Sequence, residues 1–211
     1  MVMAEEQNIN NVFLDWSGTI VDDLPPVIDA TNRVMEHYGK PVYSRERFCR
    51  DFRLPFTDFY DRILPGVPIS ELDHHYTRFF DASDEQVTEL QGAREFLDYC
   101  IETGKRVFLL SSIKNHHFES QAASLDLRRY FNHAYTEVIN KKESIKGILQ
   151  ERGISSKKAL FAGDMQHDID TANYAEMLAV ATLTGYNNLD QLRSAHPDIV
   201  VGDLSELIGK I

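Results

Sequence analysis

The chain has 211 residues, of which 43% are hydrophobic and 26% are charged, and its formal net charge is −11. These fractions are typical of a soluble globular protein and exclude a disordered or disulfide-dense chain. The net negative charge argues against a general binder of nucleic acid or anionic membranes, because both favour a basic face. It does not exclude a small phosphorylated substrate, since a bound cation reverses the local charge.

Short apolar runs that end in polar residues recur along the chain, and an amphipathic helical pattern precedes three of them. This alternation predicts an α/β fold with a doubly wound parallel sheet of at least five strands, whose ligands bind at the carboxyl ends of the strands. The predicted strands are Val12–Leu14, Val107–Leu110, Ala159–Ala162, Leu178–Ala181 and Asp198–Val201, and the predicted helices between them are Ala93–Thr103, Glu143–Arg152 and Ile169–Glu176.

The stretch from Asp22 to Asp84 breaks this alternation, because it holds six of the seven prolines and shows helical periodicity throughout. It predicts an inserted bundle of helices over the active edge of the sheet, called the cap below. The cap would span residues 22–84, and the core would comprise residues 1–21 and 85–211. The helices predicted here are Pro26–Tyr38, Ser44–Phe52, Phe56–Ile63, Ile69–Phe80 and Glu85–Leu90.

Two motifs in the first half of the predicted core carry groups suited to binding an anion. Asp15 begins a glycine-bearing loop, where backbone N–H groups can surround an anion while the carboxylate acts as a nucleophile or a metal ligand. Ser111 and Ser112 end the second long strand just before a helix, and hydroxyls beside a helix N-terminus form an anion site.

Two further motifs add a cation and a pair of carboxylates. Lys141 and Lys142 precede a helix and offer an ammonium group to the same anion. Asp164 and Asp168 lie four residues apart where a strand turns into a helix, and their oxygens suit Mg²⁺. Each pattern alone is common in turns, helix caps and solvated surfaces. Their order, and their shared position at strand ends, favour an active site.

With these motifs in this order, residues 11–209 resemble the haloacid dehalogenase superfamily of hydrolases with a helical cap. The first motif of that superfamily, Asp-x-Asp-x-Thr, is matched at Asp15 and Thr19, whereas Ser17 replaces its second aspartate. The flanking segments 91–97 and 195–198 resemble the phosphoglycolate phosphatase branch. The later motifs are matched by Ser111, by Lys142 or in a second register by Lys141, and by Gly163, Asp164 and Asp168.

The resemblance implies a Mg²⁺-dependent phosphohydrolase in which Asp15 attacks phosphorus and forms an aspartyl phosphate that water then hydrolyses. The substrate would be a small phosphorylated metabolite, and the protein a monomer or homodimer. Implied metal ligands are Asp15, the backbone carbonyl of Ser17, Asp164 and Asp168, and implied substrate contacts are Trp16, Thr19, Arg53, Ser111, Ser112 and Lys142, with Lys142 also orienting Asp15.

Ser17 stands where phosphatases of the superfamily carry an aspartic acid that protonates the leaving group, a contribution of ~10²–10⁴ in rate. Three interpretations stay open. The protein is a slow phosphatase that borrows another base such as His116 or His117, or it is a phosphate-binding protein of weak activity. The third is a C–P bond hydrolase, since Asp-Trp-Ser-Gly-Thr is similar to phosphonoacetaldehyde hydrolases. That branch uses a cap lysine, and the cap offers only Lys40, in a turn.

Two residues near the predicted site have alternative roles. Arg53 would recognise a second anion on the substrate, or pair at the surface with Asp51 or Asp58. Trp16 would line the leaving-group pocket, or pack in the core against the cap. The histidine pairs at 74–75 and 116–117 are predicted to be exposed, because adjacent residues on a helix point apart.

The remaining expectations concern location. Cys49 and Cys100 are far apart in amphipathic stretches, which predicts buried thiols of a reducing compartment rather than a disulfide. Residues 1–11 lack the pattern of a signal peptide, and no run approaches the ~18 apolar residues of a membrane span. The expected location is the cytoplasm, without nucleic-acid or membrane partners.

Overall fold

The computed structural model describes residues 9–211, and these residues form a parallel sheet between two layers of helices. The strands, in chain order, are β1 (Asn11–Leu14), β2 (Val21–Asp22), β3 (Thr88–Glu89), β4 (Arg106–Leu110), β5 (His133–Tyr135), β6 (Ala159–Gly163), β7 (Leu178–Thr182) and β8 (Ile199–Val201). Six of them pair in parallel in the order β5-β4-β1-β6-β7-β8. The predicted doubly wound α/β sheet is confirmed.

Strand β1 lies in the middle of the sheet, and all four of its residues are buried. Its side chains alternate between the two faces, so Val12 and Leu14 join one apolar cluster while Phe13 joins the other. Phe13 stacks on Phe108 of the neighbouring strand with ring centroids 4.9 Å apart. Because both faces of a parallel sheet are covered, the sequence shows continuous apolar runs rather than alternation.

The helices match most of the sequence predictions to within a few residues. The helix expected directly after Ser112 is α6, and the structure adds a short helix, α9, before β8. The helices, in chain order, are α1 (Leu24–His37), α2 (Arg45–Asp51), α3 (Phe56–Ile63), α4 (Ile69–Asp81), α5 (Ala93–Glu102), α6 (Asn115–Ser124), α7 (Lys141–Glu151), α8 (Gln166–Tyr174) and α9 (Leu189–Ser194).

Helices α1 to α4 lie between β2 and β3 in the chain and pack around an apolar cluster of their own, which includes Phe48, Phe59 and Leu72. Met165 and Tyr186, from loops after β6 and β7, belong to the same cluster. These helices therefore pack on the carboxyl edge of the sheet. The assignment of residues 22–84 as a separate cap domain stays a prediction.

Two elements differ from the predictions. The predicted helix Glu85–Leu90 is wrong, because Thr88 and Glu89 form β3 and pair antiparallel with β2, where Val21 lies opposite Glu89. This long-range pairing overrides the local helical periodicity. Strand β5 was not predicted, since its residues are only half-buried at the sheet edge and form no apolar run.

Both cysteines are free thiols, as predicted, with Cys100 buried and Cys49 half-buried. Burial raises the pKa of Cys100 to about 12, although the Lys105 ammonium acts in the opposite direction. Within residues 9–211, no helix has both the length and the apolar character needed to cross a membrane.

Candidate active site

The predicted motifs meet at one edge of the sheet because they follow neighbouring parallel strands. Asp15 follows β1, Ser111 follows β4, and Asp164 follows β6. The backbone N–H of Asp15 donates to the carbonyl of Ala162 at 3.1 Å, and that of Ser111 donates to Tyr135 at 2.9 Å. The sheet hydrogen bonds therefore extend to the first residues of the site and fix their backbone.

Three buried carboxylates converge at this edge. Asp15, Asp164 and Asp168 each offer an oxygen within 4.8 Å of the others, and each side chain is almost inaccessible to solvent. Oδ1 of Asp15 accepts no well-aligned hydrogen bond from any described residue. Burial, together with the charges of Asp168 and Asp15, raises the pKa of Asp164 well above its usual range. A divalent cation would offset this repulsion, so the donor set fits Mg²⁺.

Two glycines leave room for the Asp164 carboxylate. Gly18 has a φ of +72°, and a Cβ on either Gly18 or Gly185 would overlap the Asp164 side chain. Oδ2 of Asp164 accepts a hydrogen bond of 2.6 Å from the backbone N–H of Tyr186, and Oδ1 accepts one of 3.1 Å from the Thr19 hydroxyl. Thr19 is buried and bonds to this carboxylate rather than facing the cavity, so its predicted substrate contact is wrong.

The lysine at the site is Lys141, and the prediction of Lys142 is wrong. Lys141 is fully buried, with Nζ 2.9 Å from Oδ1 of Asp15 and 2.7 Å from Oδ1 of Asp168. Lys142 is exposed, and its Nζ lies 5.3 Å from the centre of the Tyr174 ring. Consecutive residues on a helix point about 100° apart, so only one of the two lysines can face the site.

The charges around Lys141 fix its protonation. Burial by itself lowers the pKa of this ammonium group, but the opposing charges of Asp15 and Asp168 outweigh burial and raise the pKa above its usual value. Burial also raises the pKa of Asp168, an effect that the nearby Lys141 reduces. Lys141 is therefore a permanent positive charge between the two carboxylates.

Ser17, which replaces the second aspartate of the first motif, is hydrogen-bonded to a carboxyl group that the sequence analysis missed. Its hydroxyl donates to Oδ2 of Asp23 at 2.5 Å, and the Tyr186 hydroxyl donates to Oδ1 at 3.0 Å. Asp23 is buried and lines the same cavity as Asp15 and Ser17. Burial raises the pKa of Asp23 to about 7, against the effect of these two hydrogen bonds and with a contribution from the Asp15 charge.

In the sequence, Asp23 is distinguished only as an acidic residue just before a predicted helix, and a residue in that position usually caps the helix. Asp23 does occupy the N-cap position of α1, but its side chain makes no capping hydrogen bond to the helix. The side chain turns toward Ser17 instead. Only the folded loop reveals this orientation.

A cavity of about 140 Å³ opens between this edge of the sheet and helices α1 to α4. Carboxyl and hydroxyl groups from the strand ends line part of this cavity, and most of its remaining wall is aromatic and aliphatic, with Asp73, Lys114 and His117 as further polar members. Five polar residues that line the cavity are Asp15, Ser17, Asp23, Ser111 and Ser112, and contact between substrate and the two serines stays a prediction.

Trp16 and Arg53 do not face the cavity. Trp16 is fully buried in the sheet core, where its ring packs against Phe118 at 5.0 Å and its Nε1–H donates to Gln121 at 2.7 Å. The guanidinium of Arg53 donates to the Phe52 carbonyl at 2.5 Å. Neither residue is among the cavity-lining residues. Complete burial in the core contradicts the predicted substrate contact of Trp16, whereas that of Arg53 stays a prediction. Within residues 9–211, Arg53 also forms no ion pair with Asp51 or Asp58.

His117, unlike His116, lines the cavity. Its Nε2 lies 2.7 Å from Oδ1 of Asp81 on α4, and burial lowers its pKa despite this carboxylate. The imidazole rings of His116 and His117 have their centres 4.0 Å apart at the start of α6, so the expectation that these adjacent histidines point apart is wrong. His117 is therefore engaged with α4 rather than with Ser17.

The sequence profile of the haloacid dehalogenase-like hydrolases matches residues 12–182. The chain belongs to this family. The matched range begins in the first strand and includes all four motifs, as well as helices α1 to α4. The fold and the family predicted from the sequence are thereby confirmed.

The chain is similar to proteins named as phosphoglycolate phosphatases and to solved structures of haloacid dehalogenase-like hydrolases. The chain is 22% identical to the phosphoglycolate phosphatase of Pseudomonas savastanoi, covering 93% of this chain and 78% of the relative. A haloacid dehalogenase-like hydrolase from Streptococcus pneumoniae superposes with a TM-score of 0.84 at 19% identity, covering 95% of this chain and 97% of that one. CbbY of Rhodobacter sphaeroides, solved with xylulose-(1,5)bisphosphate, superposes with a TM-score of 0.77 at 15% identity, covering 94% and 96%.

Proposed function

We propose that the protein is a Mg²⁺-dependent phosphatase that cleaves small phosphomonoesters through a phosphoaspartate on Asp15. The observation that carries this proposal is the position of Asp15, which lines the cavity while in contact with Lys141 and beside Asp164 and Asp168. Relatives named as phosphoglycolate phosphatases, and CbbY with its bisphosphate, support a phosphate ester as the substrate class.

In the first step, a carboxylate oxygen of Asp15 attacks phosphorus, and the bond from phosphorus to the ester oxygen breaks. Ser111 and Ser112, at the end of β4, lie where their hydroxyls can donate to the phosphoryl oxygens. Lys141 supplies fixed positive charge beside the nucleophile, so it orients Asp15 and offsets the negative charge of the approaching phosphate. Bound Mg²⁺, held by Asp15, Asp164, Asp168 and the Ser17 carbonyl, would neutralise the charge of the phosphoryl group.

The leaving alcohol needs a proton, and we propose that Asp23 supplies it through Ser17. A protonated Asp23 carboxyl donates to the Ser17 oxygen, while the Ser17 hydroxyl passes its own hydrogen to the ester oxygen. In the second step the relay runs backwards, taking a proton from the water that attacks the phosphoaspartate. The hydrogen bond between Ser17 and Asp23, and the pKa of about 7 for Asp23, support this assignment.

Cleavage of a C–P bond through a Schiff base receives less support. Lys40, the cap lysine considered for that role, is exposed and is not a cavity-lining residue. Lys114 does line the cavity, but its Nζ lies 2.7 Å from Oδ2 of Asp73. Lys114 is therefore engaged with a carboxylate and is not placed as the nucleophile of a Schiff base.

Phosphate release from a panel of small esters, with and without Mg²⁺, tests the proposal, and Asp15→Asn serves as the control. We expect release that requires Mg²⁺ and disappears in the Asp15→Asn variant. Mass spectrometry of the acid-quenched reaction would show a phosphate adduct on the peptide that contains Asp15. Release that persists in Asp15→Asn, or a folded protein that binds phosphate without turnover of any ester, would contradict the proposal.

A further inference from the structure

Much of the cavity wall is apolar, and its aliphatic and aromatic side chains come from α1, the segment between α2 and α3, α4 and the loop after β4. Thr31, Tyr60, Asp73 and Tyr76 are polar members of the same wall. A phosphate bound beside Asp15 would place the alcohol part of a phosphomonoester in this cavity. Six apolar residues of this wall are Val27, Phe52, Leu54, Phe56, Phe80 and Ile113.

The cavity wall also carries no cation available to a second anionic group. Lys114 is its one lysine or arginine among the described residues, and its Nζ is 2.7 Å from both Oδ2 of Asp73 and the hydroxyl of Thr77. The guanidinium of Arg53 is turned to a backbone carbonyl. His117, the remaining basic side chain of the wall, already faces Asp81. Asp15 and Asp23 line the same cavity, whereas the charge of Asp73 is balanced by its ion pair with Lys114.

We infer that the site selects phosphomonoesters whose leaving alcohol is uncharged and apolar, and that it disfavours esters carrying a carboxylate or a second phosphate. A buried anion without a partner is costly, whereas aliphatic and aromatic groups gain from contact with the apolar wall. This inference rests on the proposed phosphatase function. It separates the chain from its relatives named as phosphoglycolate phosphatases, since phosphoglycolate carries a carboxylate.

Isobutyl phosphate and 2-phosphoglycolate provide a matched pair of substrates, because a branched carbon with two methyl groups replaces the carboxylate at nearly the same size. We expect kcat/KM for isobutyl phosphate to exceed that for 2-phosphoglycolate by about tenfold or more. Benzyl phosphate extends the series to an aromatic alcohol and should also be preferred over 2-phosphoglycolate. Equal turnover of the matched pair, or a preference for 2-phosphoglycolate, would overturn the inference.

A substitution in the apolar wall tests the same substrate preference by changing the protein instead of the ester. Leu54→Arg places a cation in the wall, and we expect the ratio of kcat/KM for 2-phosphoglycolate to that for isobutyl phosphate to rise about tenfold. Leu54→Met keeps the wall apolar and should leave the ratio unchanged. An unchanged ratio in a folded Leu54→Arg variant would overturn the inference.

Hydrolysis of p-nitrophenyl phosphate, measured in the same preparations, distinguishes a failure of the substrate inference from a failure of the proposed phosphatase function. If this ester is hydrolysed in a Mg²⁺-dependent way while 2-phosphoglycolate is the preferred natural ester, the substrate inference fails and the phosphatase function stands. If no ester releases phosphate, the proposed function fails, and the substrate inference fails with it.

Discussion

At the residue scale, Lys141 and Lys142 are adjacent in the chain but lie in opposite environments. The first is fully buried between Asp15 and Asp168, and the second is exposed. A buried ammonium among carboxylates is strongly coupled to them, whereas an exposed lysine contributes little. The pair therefore offers a matched test of the site geometry.

We expect Lys141→Met to reduce kcat by at least ~10²-fold. It should also destabilise the protein by about 3–5 kcal/mol, because it leaves buried carboxylates without a counter-charge. Lys142→Met should change kcat less than twofold. Steady-state kinetics and thermal unfolding in the absence of Mg²⁺ check both variants. Equal loss of activity in the two variants would show that Lys141 has no special role at the site.

Asp22 and Asp23 form a second matched pair. Asp23 accepts the Ser17 hydroxyl, whereas Asp22 accepts the backbone N–H of Leu24 at 3.2 Å. If Asp23 donates the proton to the leaving group, Asp23→Asn should slow alkyl phosphate hydrolysis by ~10²–10⁴-fold. It should affect p-nitrophenyl phosphate much less, because p-nitrophenolate leaves without a proton.

The measurement is the ratio of kcat values for the two esters, with Asp22→Asn as the control. A general loss of fold or of metal binding would reduce both rates together and leave that ratio unchanged. An unchanged ratio in Asp23→Asn would therefore contradict the proton relay. Ser17→Ala should change the ratio in the same direction as Asp23→Asn, since the relay passes through its hydroxyl.

At the scale of elements, the loop after β7 contacts Asp164, one of the proposed metal ligands, through both Gly185 and Tyr186. The Tyr186 N–H donates to the Asp164 carboxylate, and Gly185 contacts it so closely that a Cβ there would overlap it. Tyr186 also donates its hydroxyl to Asp23. This one loop therefore contacts both a proposed metal ligand, Asp164, and the proposed proton donor, Asp23.

Gly185→Ala should displace Asp164 and weaken Mg²⁺ binding by about tenfold or more, because metal ligands tolerate shifts of only ~0.5 Å. Gly147→Ala on α7 is the control, since a Cβ there meets no other atom within 4 Å. Isothermal titration with Mg²⁺ measures the affinity of each variant. Unchanged affinity in Gly185→Ala would mean that the loop does not constrain the carboxylate.

At the scale of the whole molecule, we expect the stability of the fold to depend on a divalent metal bound by the buried carboxylates. Burial and mutual repulsion raise the pKa of Asp164, which shows that the charged form is unfavourable without a cation. Because only the folded chain assembles Asp15, Asp164 and Asp168, Mg²⁺ bound by these carboxylates would stabilise the native state.

At a Mg²⁺ concentration of 100 times the Kd, the stabilisation is about 2.7 kcal/mol. For a chain of this size, each kcal/mol raises Tm by about 2–4 °C. Calorimetry with Mg²⁺ and with EDTA measures the shift, which we expect to shrink in Asp168→Asn and to persist in Asp190→Asn on α9. No shift in the unmodified protein would exclude these carboxylates as a metal site.

The sequence by itself determined the parallel α/β sheet and the strand ends that carry Asp15, Ser111 and Asp164. Apolar runs, helical periodicity and motif order are local properties, and the carboxyl ends of parallel strands must share an edge. Only the tertiary structure decided which lysine faces the site, that Trp16 packs in the core and that Asp23 bonds to Ser17. The direction of a side chain depends on helix phase and on partners distant in the chain, and no local pattern records either.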